Sequence, residues 1–523
     1  MKAPSVAVRD QSRPFGADEM FFSTTDGRGI ITSGNEVFVR ISGYEARDLV
    51  GKAHNIVRHP DMPRSAFRIV WERLKAGKAV AALVKNLAKD GCHYWVVALI
   101  SPTPGGYLSV RFKPTGAFQA VVEPLYAQAC AAEQKARESG ADAAAAMERG
   151  AEVLSAGLQA AKFSDYDAFM WVLLCEELKA RDAVLAREHR SILRPLPSDA
   201  MERQVKDPAL AQLATVYRGG GRAYEHLNRL YRRIDDFVAL NETLDRKSSF
   251  VNNLTSELRI SAINVALASA RAGGEGQGLG VISRHMGESS GDVAAAVNRL
   301  VSGIGNLSGR LRGVIFNLAS ARLQLEMGLI FVRELLGSTS VDQDWKERRK
   351  NIHVLHEAFL VTMKLASEAL HELEQSVRPL GTIAEDLERH VLSLQVAQVG
   401  GVVESTRISE HLGFRDIFSG IRQQIDRTHD ELLELSEALH RLDRLADETP
   451  TIARDIEAAA RQIGIDIQAM STGDNSDGIP QPVPRIERPA PEEEKVDEVI
   501  LCPSLPIRSV KEPAMVLTGA AGG

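Results

Sequence analysis

The period of the apolar positions changes along the chain. From Phe21 to Thr115 they come in short runs, such as Tyr94-Trp95-Val96-Val97-Ala98-Leu99-Ile100 and Tyr107-Leu108-Ser109-Val110, punctuated by Gly and Pro, which predicts strands. Asp26-Gly27 and Asp90-Gly91 predict hairpin turns. Between them Phe67, Val70, Trp71 and Leu74 recur at helical spacing. Pro63 suits the first turn of that helix and Gly77 its end. This segment reads as a small α+β domain.

After Pro124 the composition shifts to Ala, Glu, Arg and Leu, and helix upon helix is predicted through about residue 470. Val293, Val297, Leu300, Ile304, Leu307, Leu311, Val314 and Leu318 are spaced alternately four and three, the seam of a coiled coil. A second seam runs through Ile421, Ile425, Thr428, Leu432, Leu435, Leu439, Leu442 and Ala446. Period alone leaves open whether their partners lie in the same chain or in a second copy; a homodimer is expected because symmetric dimers are the commonest assemblies. Leu258, Ile260, Ile263 and Leu267 mark a helix that runs into Gly273, Gly274, Gly276, Gly278 and Gly280, where the chain should reverse.

Composition refines this picture. The chain has 523 residues, too many for one core. Of its 28 aromatic residues 13 lie in the first 126 positions, so the aromatic core belongs to the α+β domain. The net charge of −6 owes four charges to residues 471–523, which hold nine acidic and five basic residues and 8 of the 21 prolines; that tail is expected to be disordered. A nearly neutral remainder argues against nucleic acid as a partner. Cys92, Cys130, Cys175 and Cys502 stand too far apart for a Cys-x-x-Cys metal site or a disulfide framework. No secretory signal is read at the N-terminus, and the longest strongly apolar stretch, Phe169 to Cys175, is too short to span a membrane. A cytoplasmic protein with free thiols and no membrane span is expected.

Candidate chemistry gathers in Asn55-Ile56-Val57-Arg58-His59-Pro60-Asp61-Met62-Pro63, a loop stiffened by prolines and placed just before the helix that carries Trp71. With Ser42-Gly43-Tyr44 upstream, and Val84-Lys85-Asn86 and His93-Tyr94-Trp95 downstream, it resembles the PAS domain of bacterial aerotaxis receptors over about residues 20–126. The resemblance implies a five-stranded antiparallel sheet flanked by short helices, with FAD held non-covalently as a redox sensor. It also implies cofactor-binding roles for Asn35, His54, Arg58, His59, Asp61, Trp71 and Asn86, with Trp71 packing against the isoalloxazine and Arg58, His59 and Asn86 supplying polar contacts. Neither HExxH spacing, a Ser/His/Asp order nor a P-loop is present, so neither a metal nor a catalytic residue is assigned and the chain is not read as an enzyme.

The stretch from Asn264 through the glycines to Ile282 is similar to a diverged form of the hairpin tip of methyl-accepting chemotaxis proteins, with Asn264 and Arg271 at that family's contact positions. There the tip contacts the CheA histidine kinase and the CheW coupling protein. The chain thus divides into a flexible N-terminus (1–19), a PAS sensor domain (20–126), a helical connector (127–244), a hairpin with the signalling tip (245–340), a further helical bundle or coiled coil (341–470) and the acidic Pro-rich tail (471–523). Two functions are carried forward. One is a soluble redox or oxygen transducer whose long helices address a chemotaxis-type kinase complex. The other is a cofactor-free PAS scaffold for oligomerisation, with an output module not coupled to that kinase.

Overall fold

The computed structural model describes residues 6–193, 208–271, 277–337, 345–407 and 414–472; the glycines 273, 274 and 276, Cys502 and nearly all of the predicted tail lie outside them. The chain forms two compact units. Among the described residues the first unit takes those within 6–225, 319–362 and 457–472, and the second those within 226–318 and 363–456.

The first unit opens with the expected α+β domain. Strands β1 (Met20–Asp26), β2 (Ile31–Gly34), β3 (Val80–Leu87), β4 (His93–Thr103) and β5 (Gly106–Phe112) form one antiparallel sheet in the order β2-β1-β5-β4-β3. Short helices α1 (Glu36–Ser42) and α2 (Ala46–Leu49), a 3-10 turn at His54–Val57 and helix α3 (Arg64–Lys75) lie between β2 and β3. Asn35 starts α1 by accepting a hydrogen bond from the Phe38 amide, and Gly43 ends it in the left-handed region at φ 70°. The β1–β2 turn is closed by Asp26, whose carboxylate accepts from the amides of Arg28 and Ile30. Gly29 in that turn has φ 78°, and a Cβ there would stand 3.1 Å from the Trp71 ring, so both conformation and space favour glycine. Residues 9–13, read from the sequence as part of a flexible arm, hydrogen-bond along residues 91–93.

Strand register sorts the sheet into two faces. Phe21, Arg111, Ala98 and Ala82 align across one row, and Ser23, Ser109, Ile100 and Val80 across the next; with Tyr94 and Val96 they face α1, α2 and the 3-10 turn, where Phe38, Ile41, Leu49 and Val57 complete a buried cluster. The opposite face presents Met20, Phe112, Val97 and Leu83, and Phe22, Val110, Leu99 and Ala81. Helices α4 (Phe118–Glu138), α5 (Ala143–Ala160) and α6 (Tyr166–Arg187) follow. Tyr126 of α4 and Tyr166 of α6 each donate a 2.9 Å hydrogen bond to carbonyls of β3, and Tyr126 stacks on Trp95.

Five longer helices complete the described chain: α7 (Pro208–Tyr231) and α8 (Ile234–Arg271), then α9 (Gln277–Gly337), α10 (Trp345–Ser405) and α11 (Phe414–Thr472); α8 and parts of α9, α10 and α11 build most of the second unit. Both predicted seams are buried to within 3% exposure at every position. Their partners lie in the same chain. Ser261 of α8 reaches Gln424 of α11, Arg310 of α9 pairs with Glu372 of α10 at 2.6 Å, and Arg378 of α10 pairs with Asp447 of α11. The helix marked by Leu258, Ile260, Ile263 and Leu267 is present as part of α8. Ile260, Ile263 and Leu267 are 58%, 57% and 52% exposed, whereas Val265 is buried. Val265 stands three heptads after buried Leu244, so the buried stripe keeps the coiled-coil register and the three large residues fall outside it. Among the described residues α9 is the one helix long and apolar enough to cross a membrane, and 89% of its apolar window is buried inside the protein.

Candidate functional site

The seven residues expected around a ligand do not share one place. His54, at the start of the 3-10 turn, lies against the inner face of the sheet: its Nε2 is 3.0 Å from Ser23 Oγ and 2.8 Å from Arg111 Nη2, and its ring stacks on Phe38. Burial and the neighbouring Arg111 cation push its pKa down to about 3, so the ring is neutral and Nε2 accepts. Arg111 is 5% exposed. Its Nη1 donates to Ser23 Oγ at 2.9 Å and to the Ser109 carbonyl at 3.3 Å, and its guanidinium lies over the rings of Phe21 and Phe38. Beside it Tyr94 is fully buried, and burial raises its pKa.

Arg58 and His59 continue the loop. Arg58 donates to the Met62 carbonyl at 2.8 Å and covers the Phe67 ring at 4.4 Å; burial brings its pKa down to about 10. His59 is buried, its Nδ1 accepts from the Asp61 amide and its ring meets His93 edge-on. Burial lowers its pKa to about 4. Asn86 is buried on β3 and its backbone bridges to that of Arg58, tying the loop to the sheet.

Asp61 and Asn35 sit apart, whereas Trp71 borders the inner face through Tyr107. Asp61 is exposed and pairs with Lys85 at 2.7 Å; burial works to raise its pKa, but that hydrogen bond holds it below the usual carboxylate value. Trp71 is half-buried on α3, packed edge-on against Tyr107 and over Gly29. Asn35 is buried and fully engaged. Its Oδ1 accepts from the Phe22 and Phe38 amides, and its Nδ2 donates to the Met20 carbonyl and to Glu334 of α9 at 3.0 Å. Of the two tip residues, Asn264 is exposed on α8 and Arg271 is the last residue of that helix.

Two inner-face polar atoms, Tyr94 Oη and Ser109 Oγ, are buried without a hydrogen-bond partner, as is His59 Nε2 beside His93. A protein interior seldom leaves such groups unmatched. With the Arg111 cation, the aromatic rings of Phe38, Tyr107 and Trp71, and the small side chains of Ala82, Ala98 and Ser23, they suit a planar ligand with a hydrogen-bonding edge. A flavin ring has that character, so these residues fit the group the resemblance implies. Sequence reading missed Arg111, Ser23, Ser109 and Tyr94 as site residues. The usable signal was alternation in β5, which puts Tyr107, Ser109 and Arg111 on the face opposite Leu108, Val110 and Phe112.

The other face of the sheet is sealed by the chain's own helices. Phe331 of α9 meets Phe22 edge-on with ring centroids 5.0 Å apart, Gln324 donates to Ser101 Oγ at 3.0 Å, and Asn351 of α10 donates to Ser33 Oγ at 2.6 Å. Glu334 also accepts from the Glu36 amide at 2.8 Å, so one carboxylate of α9 caps the start of α1. Behind this contact lies an ion network. Glu326, fully buried, receives Arg181 at 2.6 Å, Arg322 at 2.9 Å and the Tyr224 hydroxyl at 2.8 Å, while Arg322 grips Asp182 with both Nη atoms.

Comparison with known proteins agrees with the domain seen here. Residues 31–106 match the PAS fold family, and the N-terminal domain is a PAS domain. The aerotaxis receptor of Escherichia coli K12 is 44% identical over 124 residues, which cover 23% of this chain and 24% of that protein. The biofilm dispersion protein BdlA of Pseudomonas aeruginosa is 30% identical over 82 residues, covering 16% of this chain and 20% of that one. The chain therefore matches a quarter or less of the length of these relatives. Among solved structures, a light-oxygen-voltage domain studied with a flavin analogue aligns over 20% of this chain and 86% of its own, with 20% identity and a TM-score of 0.19.

Proposed function

We propose that the chain is a PAS signal transducer whose inner face binds FAD, and whose helices carry the state of that ligand to a chemotaxis-type complex of CheA and CheW. The observation that carries the reading is continuity of helix α9: residues 319–337 press on the outer face of the PAS sheet through Gln324, Phe331 and Glu334, and residues 277–318 of the same unbroken helix belong to the second unit. Asn35 supports it further, because one side chain joins β1, α1 and α9. A ligand that alters the packing of α1 acts directly on a residue bonded to the long helix. Arg58, His59, Trp71 and Asn86 wall the ligand in this reading, His54 orients Arg111, and Asp61 holds the loop through Lys85. When bound, flavin supplies reversible two-electron chemistry; the chain's residues supply binding, orientation and the mechanical link.

A cofactor-free scaffold is the second reading, favoured by the exposed Leu392, Val396, Val399 and Val403 on α10, which offer a contact surface that needs no ligand. The visible spectrum of the purified chain separates the two. Flavin absorption, with flavin released on denaturation, supports the transducer; a protein that stays colourless after incubation with FAD overturns it. The kinase limb is tested by capture of CheA and CheW on immobilised chain, beside a chemotaxis receptor as positive control. Failure to retain either protein where the receptor retains both removes that limb.

A further inference from the structure

Three arginines of the first unit are almost wholly buried, and they are treated differently. Arg181 and Arg322 are each paired with Glu326, and Arg322 also with Asp182. Arg111 has no carboxylate partner among the described residues. Its contacts are a serine hydroxyl, a peptide carbonyl, a neutral histidine and two phenyl faces. The groups facing it from β1, β4, β5 and the 3-10 turn are Ser23, Tyr94, Ser109 and His54, none of which carries negative charge at neutral pH. A charge taken out of water without a counter-ion is costly, and this unit otherwise supplies one. Two further atoms close by, Tyr94 Oη and Ser109 Oγ, are buried and unpartnered.

We propose that Arg111 is the anion-recognition centre of the PAS interior, its guanidinium holding the electron-rich carbonyl edge of the bound ligand while Tyr94 Oη and Ser109 Oγ take the adjoining polar positions. The inference rests on the flavin reading and deepens it. The pyrimidine edge of a flavin presents carbonyl oxygens and a ring nitrogen, and uptake of two electrons and one proton leaves a single negative charge on that edge. A fixed cation there favours the reduced ring over the oxidised one. His54 is a positioning residue: kept neutral, it accepts from Arg111 and does not compete for the anion.

The test uses the full chain loaded with FAD, comparing wild type with Arg111→Gln and Arg111→Lys, and reads flavin affinity by fluorescence and midpoint potential by titration with dithionite as electron donor. Arg111→Gln is expected to weaken binding at least tenfold and to move the midpoint negative, by about 30 mV for each tenfold preference lost in a two-electron couple. Arg111→Lys, which keeps the charge, is expected to restore most of the potential. Wild-type affinity and potential in Arg111→Gln overturn the inference and leave the flavin reading standing. A wild-type chain that takes up no FAD overturns both. A second measurement needs no ligand: the ligand-free Arg111→Met chain is expected to unfold at the same or higher urea concentration than wild type, because the unpaired charge is gone. A clear fall in that midpoint would assign Arg111 a structural role and sink the inference.

Discussion

Helix α9 crosses two environments. In residues 319–337 it buries Arg322, Gln324 and Glu326 against the PAS sheet and its neighbours, whereas in residues 293–318 it buries a stripe of Val, Leu and Ile whose charged neighbours face outward. The first contact adds directional hydrogen bonds between groups that lost their water to an apolar contact through residues such as Leu323, Met327 and Phe331, whereas the second rests chiefly on apolar area that has no preferred direction. A buried ion network adds little net stability over an apolar core of the same volume, but removing one member leaves the others uncompensated. A seam distributes its stabilisation evenly, layer by layer. The contact with the sensor should therefore be intolerant of single changes and confined to one register, while the distal seam should lose stability in modest steps.

The largest effect is expected at Glu326. Glu326→Ala leaves Arg181, 0% exposed, without a carboxylate and takes one of two from Arg322, 2% exposed, and should cost about 3–5 kcal/mol. All four tryptophans, Trp71, Trp95, Trp171 and Trp345, lie in the first unit, so tryptophan fluorescence during urea unfolding reads that unit, and far-UV dichroism reads helix in both. The fluorescence transition should move. A change below about 1 kcal/mol would mean that the network is not holding the junction. Next comes Leu435→Ala in the second seam, where the side chain is fully buried, with an expected loss of about 3 kcal/mol. Here the dichroism transition should shift and the fluorescence transition should stay. Equal shifts in both signals would show one cooperative body and erase the comparison.

A third effect separates the regions by pH. His54, His59 and His356 belong to the first unit, and burial lowers their folded pKa values from 6.5 to about 3, 4 and 4. The unfolded chain binds protons at these sites before the folded chain does, so stability is full above about pH 6.5 and declines as pH falls toward the folded values. Glu326 acts in the same direction, but only at lower pH: burial opposes its charge, Arg181 and Arg322 outweigh that, and its folded pKa lies below 4.5. Glu334, raised by burial, acts in the opposite sense and is removed from the measurement by working in a Glu334→Gln background. Between pH 7 and pH 5 the urea midpoint read by fluorescence should drop in that background. It should drop less when His54 and His59 are both Gln; an unchanged slope in the double variant would discard the assignment.

The legibility of these features follows the same division. Both seams could be read because a four–three spacing imposes burial whatever the partner. The PAS fold could be read because turns, alternation and the Arg58-His59-Pro60-Asp61 loop agree on it. The docking of residues 319–337 could not. Arg322, Gln324 and Glu326 have the composition of a solvated face, and only their three-dimensional partners, Asp182, Ser101 and Arg181, make them core. Arg111 was hidden for a related reason: alternation placed it opposite Leu108 and Val110, but a face opposite apolar residues normally meets water, and here both faces are covered. Ile260, Ile263 and Leu267 show the reverse: they are large and apolar but exposed, because the heptad counted from Leu244 leads to Val265.

The smallest effect is the sharpest control. Arg310–Glu372 and Arg322–Asp182 are both short arginine–carboxylate pairs on α9, at 2.6 Å in each case, but the Arg310 side chain is 40% exposed and that of Arg322 is 3% exposed. In water the attraction between Arg310 and Glu372 is offset by solvation, side-chain entropy and salt, so Arg310→Ala should cost about 0.2–1 kcal/mol and less as salt is added. Arg322→Ala removes a cation from Glu326 and Asp182 together and should cost several times more, with little dependence on salt. Measured side by side, by dichroism for the first and tryptophan fluorescence for the second, the two substitutions isolate environment from geometry. If Arg310→Ala proved as damaging as Arg322→Ala, burial would not be what distinguishes the contact with the sensor from the distal bundle, and the case for a junction of fixed register would be lost.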